Sequence, residues 1–237
     1  SLYKEAVKFF KKIKENGELT RMIERAYGHV DNLNYVGTIV FRRHIAQRLP
    51  AYESMFRKYA REYGLDWRLL VAIGYQESLL NADAQSPSGV RGLMMLTRKT
   101  SQDLGVENRL DPESSIKGGA RYFAQLHTRI PKEIREPDKT WMALAAYNVG
   151  FYHVMDARII TEKRGLDPDK WIDVKTSLPL LAQRKWYKDT KFGYARGWEP
   201  VRYVENIRSY YDILRRDNRP VAPDTDPEIY KILPRVL

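Results

Sequence analysis

Along most of this chain apolar residues recur at helical spacing and seldom alternate as strands require. Ala6, Phe9, Phe10 and Ile13 fall at i, i+3, i+4 and i+7 before Gly17, and Leu19, Met22, Ile23, Ala26 and Tyr27 repeat that stripe before Gly28. Residues 31–50 are mixed, with a helical patch from Ile39 to Leu49 that Pro50 ends. From residue 51 the signals sharpen. Tyr52, Met55, Phe56, Tyr59, Ala60 and Tyr63 form one helical face closed by Gly64, and Asp66 is placed to cap a helix running from Trp67 toward Ser78. A turn-rich stretch, NADAQSPSGVRG, separates this from a short helix over 97–104 stopped by Gly105. Asp111 followed by Pro112 opens the next helix, Asp138 opens another that ends near Gly150, and a long helix follows Pro200 with Val201, Val204, Ile207, Tyr211 and Leu214 on one side. The pattern predicts a mainly α protein: a helical opening or connector over 1–49, a helical domain over 50–216, and an extended proline-rich tail over 217–237.

Composition narrows the class. A chain of 237 residues with 43% hydrophobic residues can bury a sizeable core. No apolar run approaches the eighteen or so residues of a membrane span, so no transmembrane segment is expected. The first residues carry no signal-peptide pattern, so an export signal or lipid anchor would lie upstream of Ser1. The absence of cysteine removes disulfides, thiolate metal sites and cysteine nucleophiles. His29, His44, His127 and His153 show no ligand spacing, so neither a metal site nor a cofactor is expected. A net charge of +11 raises the question of a nucleic-acid partner. The basic residues are nevertheless dispersed, as in RRHIAQR, RKYAR and LRRDNR, with no recognition motif beside them; no nucleic-acid partner is expected, and the charge reads as an anion-attracting surface.

Chemistry enters with Glu77, seven residues after Leu70 and four after Ile73, and so in line with the apolar stripe of its helix. Position alone also allows a helix-end carboxylate turned to water or paired with an arginine. The surroundings add to it: a polar small-residue loop, SPSGVRG, then the apolar LMML, where glycine permits close backbone approach and methionine supplies adaptable apolar surface. ALAAYNVG brings Tyr147 and Asn148 to a helix end, and RYVENI brings Tyr203 onto another helix.

In order and spacing, ESLLNADAQSPSGVRGLMML, then AAYNVG roughly fifty residues later, then RYVENI, resemble the lytic transglycosylases of the soluble-murein-transglycosylase type, relatives of goose-type lysozyme, over about 50–216. The resemblance implies a lysozyme-like helical catalytic domain that cleaves the β-1,4 bond between N-acetylmuramic acid and N-acetylglucosamine of peptidoglycan glycan strands, leaving 1,6-anhydromuramoyl ends. It implies Glu77 as the one catalytic acid and base, Ser78 and Ser86 hydrogen-bonding near it, and Gly92, Leu93, Met94 and Met95 as a cleft wall. It implies Tyr147, Asn148 and Tyr203 as cleft residues, with Tyr203 close to the glutamate and Asn148 toward the acetamido group. Met95 stands where that family often has glutamine, a polar contact to sugar that this chain lacks. The opening FFKKIKENGELTRMIERAYGHV resembles the last helices of a periplasmic solute-binding domain, so 1–49 is expected to be a helical remnant of such an N-terminal regulatory domain. Location in the periplasm, in association with the outer membrane, follows from the same resemblance.

Two-carboxylate hydrolysis is the competing chemistry, since glycosidases ordinarily flank the bond with an acid and a nucleophile or base. It would recruit Asp83, Asp103 or Asp111. A glycan-binding module without catalysis is the other alternative. Residues 160–199, rich in tryptophan, tyrosine and basic groups, suit either the far side of a sugar cleft or core packing.

Overall fold

The computed structural model describes residues 2–27, 35–86 and 89–216; the tail expected to be extended, 217–237, and the Gly28 stop lie outside the described residues. Twelve α-helices occur among the described residues: α1 Leu2–Glu15, α2 Glu18–Tyr27, α3 Tyr35–Arg48, α4 Glu53–Glu62, α5 Trp67–Ser78, α6 Arg98–Asp103, α7 Pro112–Arg129, α8 Asp138–Val149, α9 Phe151–Lys163, α10 Trp171–Ser177, α11 Arg184–Tyr187 and α12 Trp198–Arg216. Short 3-10 turns follow α3 and α10. Extended pairing among these residues is confined to isolated bridges, Gln85 with Arg91 and Arg91 with Leu96.

Local chemistry sets the helix starts. The Asp66 carboxylate accepts from the Arg68 amide to open α5, Thr97 accepts from Thr100 to open α6, and Asp111 accepts from Ser114 to open α7, whose first residue is proline. α12 starts at Trp198, before Pro200, which sits in the first turn where its missing N–H costs no helical bond. The sequence pattern missed α9 because its apolar residues are spread around the whole helix, and α10 and α11 because each is short.

Layering follows from burial. α5 is the central helix: every residue from Leu69 to Tyr75 is buried, so it is apolar on all sides and not merely along one stripe. α12 packs along it and α8 packs against α12; Met142, Ala143, Leu144, Ala145 and Ala146 of α8 have no exposed surface. Small residues bring α7 close as well. A β-carbon on Gly119 would stand 2.7 Å from the Met94 side chain, so glycine lets the backbone lie directly on that methionine.

The opening region divides. α3, expected within the connector, is part of the packed core: Phe41 stacks on Tyr210 of α12 at 4.8 Å and meets Tyr75 of α5 edge-on at 4.6 Å. α1 and α2 pack mainly on each other and leave Phe9, Phe10, Met22 and Ile23 exposed. Trp171 and Leu181, in the aromatic stretch 160–199, are buried, whereas Phe192, Tyr194 and Trp198 are exposed. That stretch is therefore core in its first half and surface in its second. Among the described residues no helix is long and apolar enough to cross a membrane.

Candidate active site

The site forms where α5 ends. Leu79 and Leu80 both take left-handed backbone angles, φ 54° and 57°, which are costly for residues with a branched side chain and persist because the surroundings hold them. Arg48 of α3 donates to the Leu79 carbonyl at 2.7 Å, and Leu80 is driven into the core. The chain then folds back beneath the end of α5. Gly92 donates to the Ala84 carbonyl, and its φ of +83° combines with a crowded site: a β-carbon there would lie 1.9 Å from the Arg109 carbonyl oxygen. Glycine is required at 92 by both.

Hydrogen bonds then fix the returning segment to its neighbours. The Ser78 hydroxyl bridges the carbonyls of Gly74 and Leu93, at 3.1 and 2.9 Å. The Met94 amide donates to Ser115 of α7, and the Tyr147 hydroxyl of α8 donates to the Met94 carbonyl at 3.0 Å. Segment 92–96 is in this way tied to three helices.

Glu77, in the last turn of α5, is partly buried, and the Tyr203 hydroxyl of α12 donates to its Oε1 at 2.6 Å. The Tyr147 ring lies parallel to that of Tyr203, 12° between planes and 6.5 Å between centroids, and Tyr122 leans on Tyr147 at 5.1 Å. Aromatic rings thus replace water around one carboxyl group. Burial raises Glu77 from 4.5 to about 7, with the Tyr203 hydrogen bond pulling the other way. No second carboxylate contributes to that rise. Burial first, then the negative charge of Glu77, holds Tyr203 and Tyr147 well above the ordinary tyrosine value, so both remain neutral donors.

The other residues singled out by sequence divide by depth. Asn148 is exposed in the last turn of α8, and Met95 is half-buried at φ 45°. Ser86 accepts from the Val90 amide at the neck of the loop. Leu93 and Met94, expected as cleft wall, have no exposed surface, and Gly92 and Ser78 are buried as well; these four back the site from beneath. The acids that a two-carboxylate reading would recruit are placed otherwise: Asp83 and Asp103 are exposed, and Asp111 is engaged as the cap of α7. Sequence reasoning missed Arg48, Tyr122 and Ser115, which act only through the tertiary fold and carry no local signal. A separate recess of about 430 Å³, lined by Asp66, Trp141 and Tyr211 among others, lies at the opposite end of α5 from Glu77.

Fold and site together define a lysozyme-like helical domain built around one desolvated glutamic acid. Residues 54–170, just under half of the chain, match the family described as Transglycosylase SLT domain. It is 58% identical over 223 residues, 94% of the chain and 44% of the relative, to membrane-bound lytic murein transglycosylase F of Marinobacter nauticus. It is 57% identical over 225 residues, 95% of the chain and 46% of the relative, to the protein of that name from Ectopseudomonas mendocina. The chain thus spans less than half the length of these curated relatives. Among solved structures, an inactive glutamate-to-glutamine mutant of the lytic transglycosylase Slt from Pseudomonas aeruginosa matches with a TM-score of 0.50 and 26% identity, over 71% of this chain and 25% of that one.

Proposed function

We propose that this chain carries the catalytic domain of a peptidoglycan lytic transglycosylase, a carbon–oxygen lyase in which Glu77 serves as acid and then as base. The observation that carries the reading is a single carboxyl group held near pH 7 by burial and hydrogen-bonded by Tyr203, with no companion acid acting on it. The names of the relatives supply the substrate class, and the inactivity of the Slt glutamate-to-glutamine mutant agrees with a glutamate-dependent reaction.

At neutral pH a large fraction of Glu77 is protonated. Tyr203 donates to Oε1, which leaves Oε2 to carry the proton and present it to the glycosidic oxygen between N-acetylmuramic acid and N-acetylglucosamine. The C1–O bond breaks, and the N-acetylglucosamine leaves with that proton. The muramoyl 2-acetamido oxygen supports the electron-poor C1, a task that a second protein carboxylate performs in ordinary glycosidases. Glu77, now a carboxylate stabilised by the same tyrosine, takes the proton of the C6 hydroxyl as O6 bonds to C1. The ring closes to a 1,6-anhydro end, no water is consumed, and Glu77 returns to its acid form.

In this reading Tyr203 orients the acid, Tyr147 provides an apolar face, and Asn148 meets the acetamido group. Met95 lines the wall, with Ser86 at its rim and Gly92, Leu93, Met94 and Ser78 supporting it from below. We further assign α1 and α2 to the end of a solute-binding-like N-terminal regulatory domain in the whole protein, ahead of a catalytic domain that includes α3, and assign the protein to the periplasmic face of the outer membrane. Mass spectrometry of peptidoglycan digested by this chain tests the chemistry: muropeptides one water lighter than their hydrolysed counterparts are expected, and hydrated reducing ends from the wild-type chain would sink the proposal.

A further inference from the structure

We propose a second, non-catalytic glycan contact on this domain: the exposed pair Tyr152 and Phe192, flanked by Arg129 and Lys191, is a platform that binds a peptide-bearing sugar further along the same strand. It rests on the reading of the substrate as peptidoglycan, and it extends that site beyond Glu77.

Tyr152 is 51% exposed and Phe192 39% exposed, yet their rings stack at 4.3 Å with only 19° between planes. A contiguous exposed apolar surface is a candidate contact site. The fold builds it from two separate segments. Tyr152 lies in the first turn of α9, two positions beyond Gly150, where α8 delivers Tyr147 and Asn148; it is five positions on from Tyr147, a reach of at most about 18 Å. Phe192 comes from the loop after α11 and is held there by Asp156, a buried carboxylate of α9 that accepts the amides of Lys191 at 3.3 Å and Phe192 at 2.9 Å. A buried acid clamping a loop backbone fixes the ring on its partner. Unguided collapse of a surface phenylalanine would need no such clamp.

Charge names the rest of the ligand. The Arg129 guanidinium sits 4.1 Å over the Phe151 ring and 5.3 Å from that of Tyr152, and Lys191 sits 5.6 Å over Phe192. Both cations are exposed, and neither pairs with a carboxylate among the described residues. A flat apolar surface bordered by unneutralised cations fits a pyranose ring, whose C–H face lies on aromatics, carrying an appended carboxylate. A muramoyl unit with its acidic peptide stem has both.

Sedimentation with insoluble sacculi tests this without turnover when every protein carries Glu77→Gln. Stem-bearing sacculi are compared with glycan strands freed of their stems by an amidase and coupled to beads, since stripped strands lose their cross-links and no longer sediment by themselves. Replacing Tyr152 and Phe192 together by alanine is expected to weaken binding to both about tenfold. Phe192→Tyr, which keeps a ring, is expected to bind as the parent does. Arg129→Gln is expected to lose affinity several-fold for stem-bearing sacculi only, and to remove part of the salt dependence. Unchanged binding by the double alanine variant, equal loss in Phe192→Tyr, or the same effect of Arg129→Gln on stem-bearing sacculi and stem-free strands would each overturn the proposal. Digestion by the chain with Glu77 intact is scored separately. Absence of anhydro products there would refute the catalytic assignment, while the sedimentation result would still judge the platform.

Discussion

Tyr203 reaches across 126 positions of sequence to donate its hydroxyl proton to Glu77 at 2.6 Å, making this carboxyl's environment a shared property of α5 and α12. A hydrogen bond donated to a carboxyl group favours its ionised form, so this contact opposes the upward push of burial. Tyr203→Phe removes the opposition. The pH at which Glu77 loses its proton is expected to rise above about 7, while peak activity falls about tenfold or more because the acid is no longer oriented. A pH profile of kcat/KM checks both. A limb moving to lower pH in Tyr203→Phe would contradict the role given to this tyrosine.

The wild-type profile carries its own expectation. The first step of the proposed reaction needs Glu77 protonated, so kcat/KM is expected to fall as pH rises through about 7. Glu77→Gln keeps the shape but can neither give nor accept the proton, and turnover is expected to drop by at least about 10³-fold. Affinity for sacculi is expected to stay near the parent's. Persistent cleavage by this variant would point to a different acid.

The same ionisation is linked to stability. Glu77 has a folded-state value raised above its unfolded value of 4.5, so the native chain binds the proton more tightly, and stability declines as pH rises from about 4.5 to about 7. Above that window the buried charge costs up to about 3 kcal/mol relative to low pH. Glu77→Gln carries no such cost. Its advantage over the wild type in thermal or urea unfolding is expected to grow between pH 4.5 and 7 and then level off. A difference independent of pH across this window would show that the carboxyl is already hydrated.

Much of this arrangement was legible before any coordinates. Caps at Asp66 and Asp111, stop glycines at 64 and 105, and the one-sided stripe of α4 define α4 to α7, because those signals are local. Glu77 stood out for interrupting an apolar pattern, and its partner was nominated only through the family motif, since nothing local in RYVENI says which carboxyl Tyr203 meets. α9 escaped because it exposes apolar Tyr152 and Ile159 and buries polar Asp156 and Thr161, which blurs its amphipathic pattern. Burial was misjudged for Leu93 and Met94 for a related reason. An apolar run beside a loop reads as wall, and only the packing of α7 and α8 decides which side chains are sealed beneath it.

The support beneath the site separates stability from chemistry. Ser78 follows Glu77 in the chain, but its hydroxyl ties the Gly74 and Leu93 carbonyls and has no contact with the acid in this arrangement. Ser78→Ala leaves the buried Leu93 carbonyl without that donor, and a loss of about 1–3 kcal/mol is expected, with the position of the pH limb unmoved. Gly92→Ala is a harsher change. Its φ of +83° disfavours alanine, and the new β-carbon would meet the Arg109 carbonyl oxygen at 1.9 Å, where backbone must give way. A loss greater than about 3 kcal/mol is expected, with the 92–96 segment displaced from under Tyr147. Denaturant unfolding of the two variants, with pH profiles on whatever remains folded, checks the ordering. A moved limb in Ser78→Ala would mean that this serine reaches Glu77 after all.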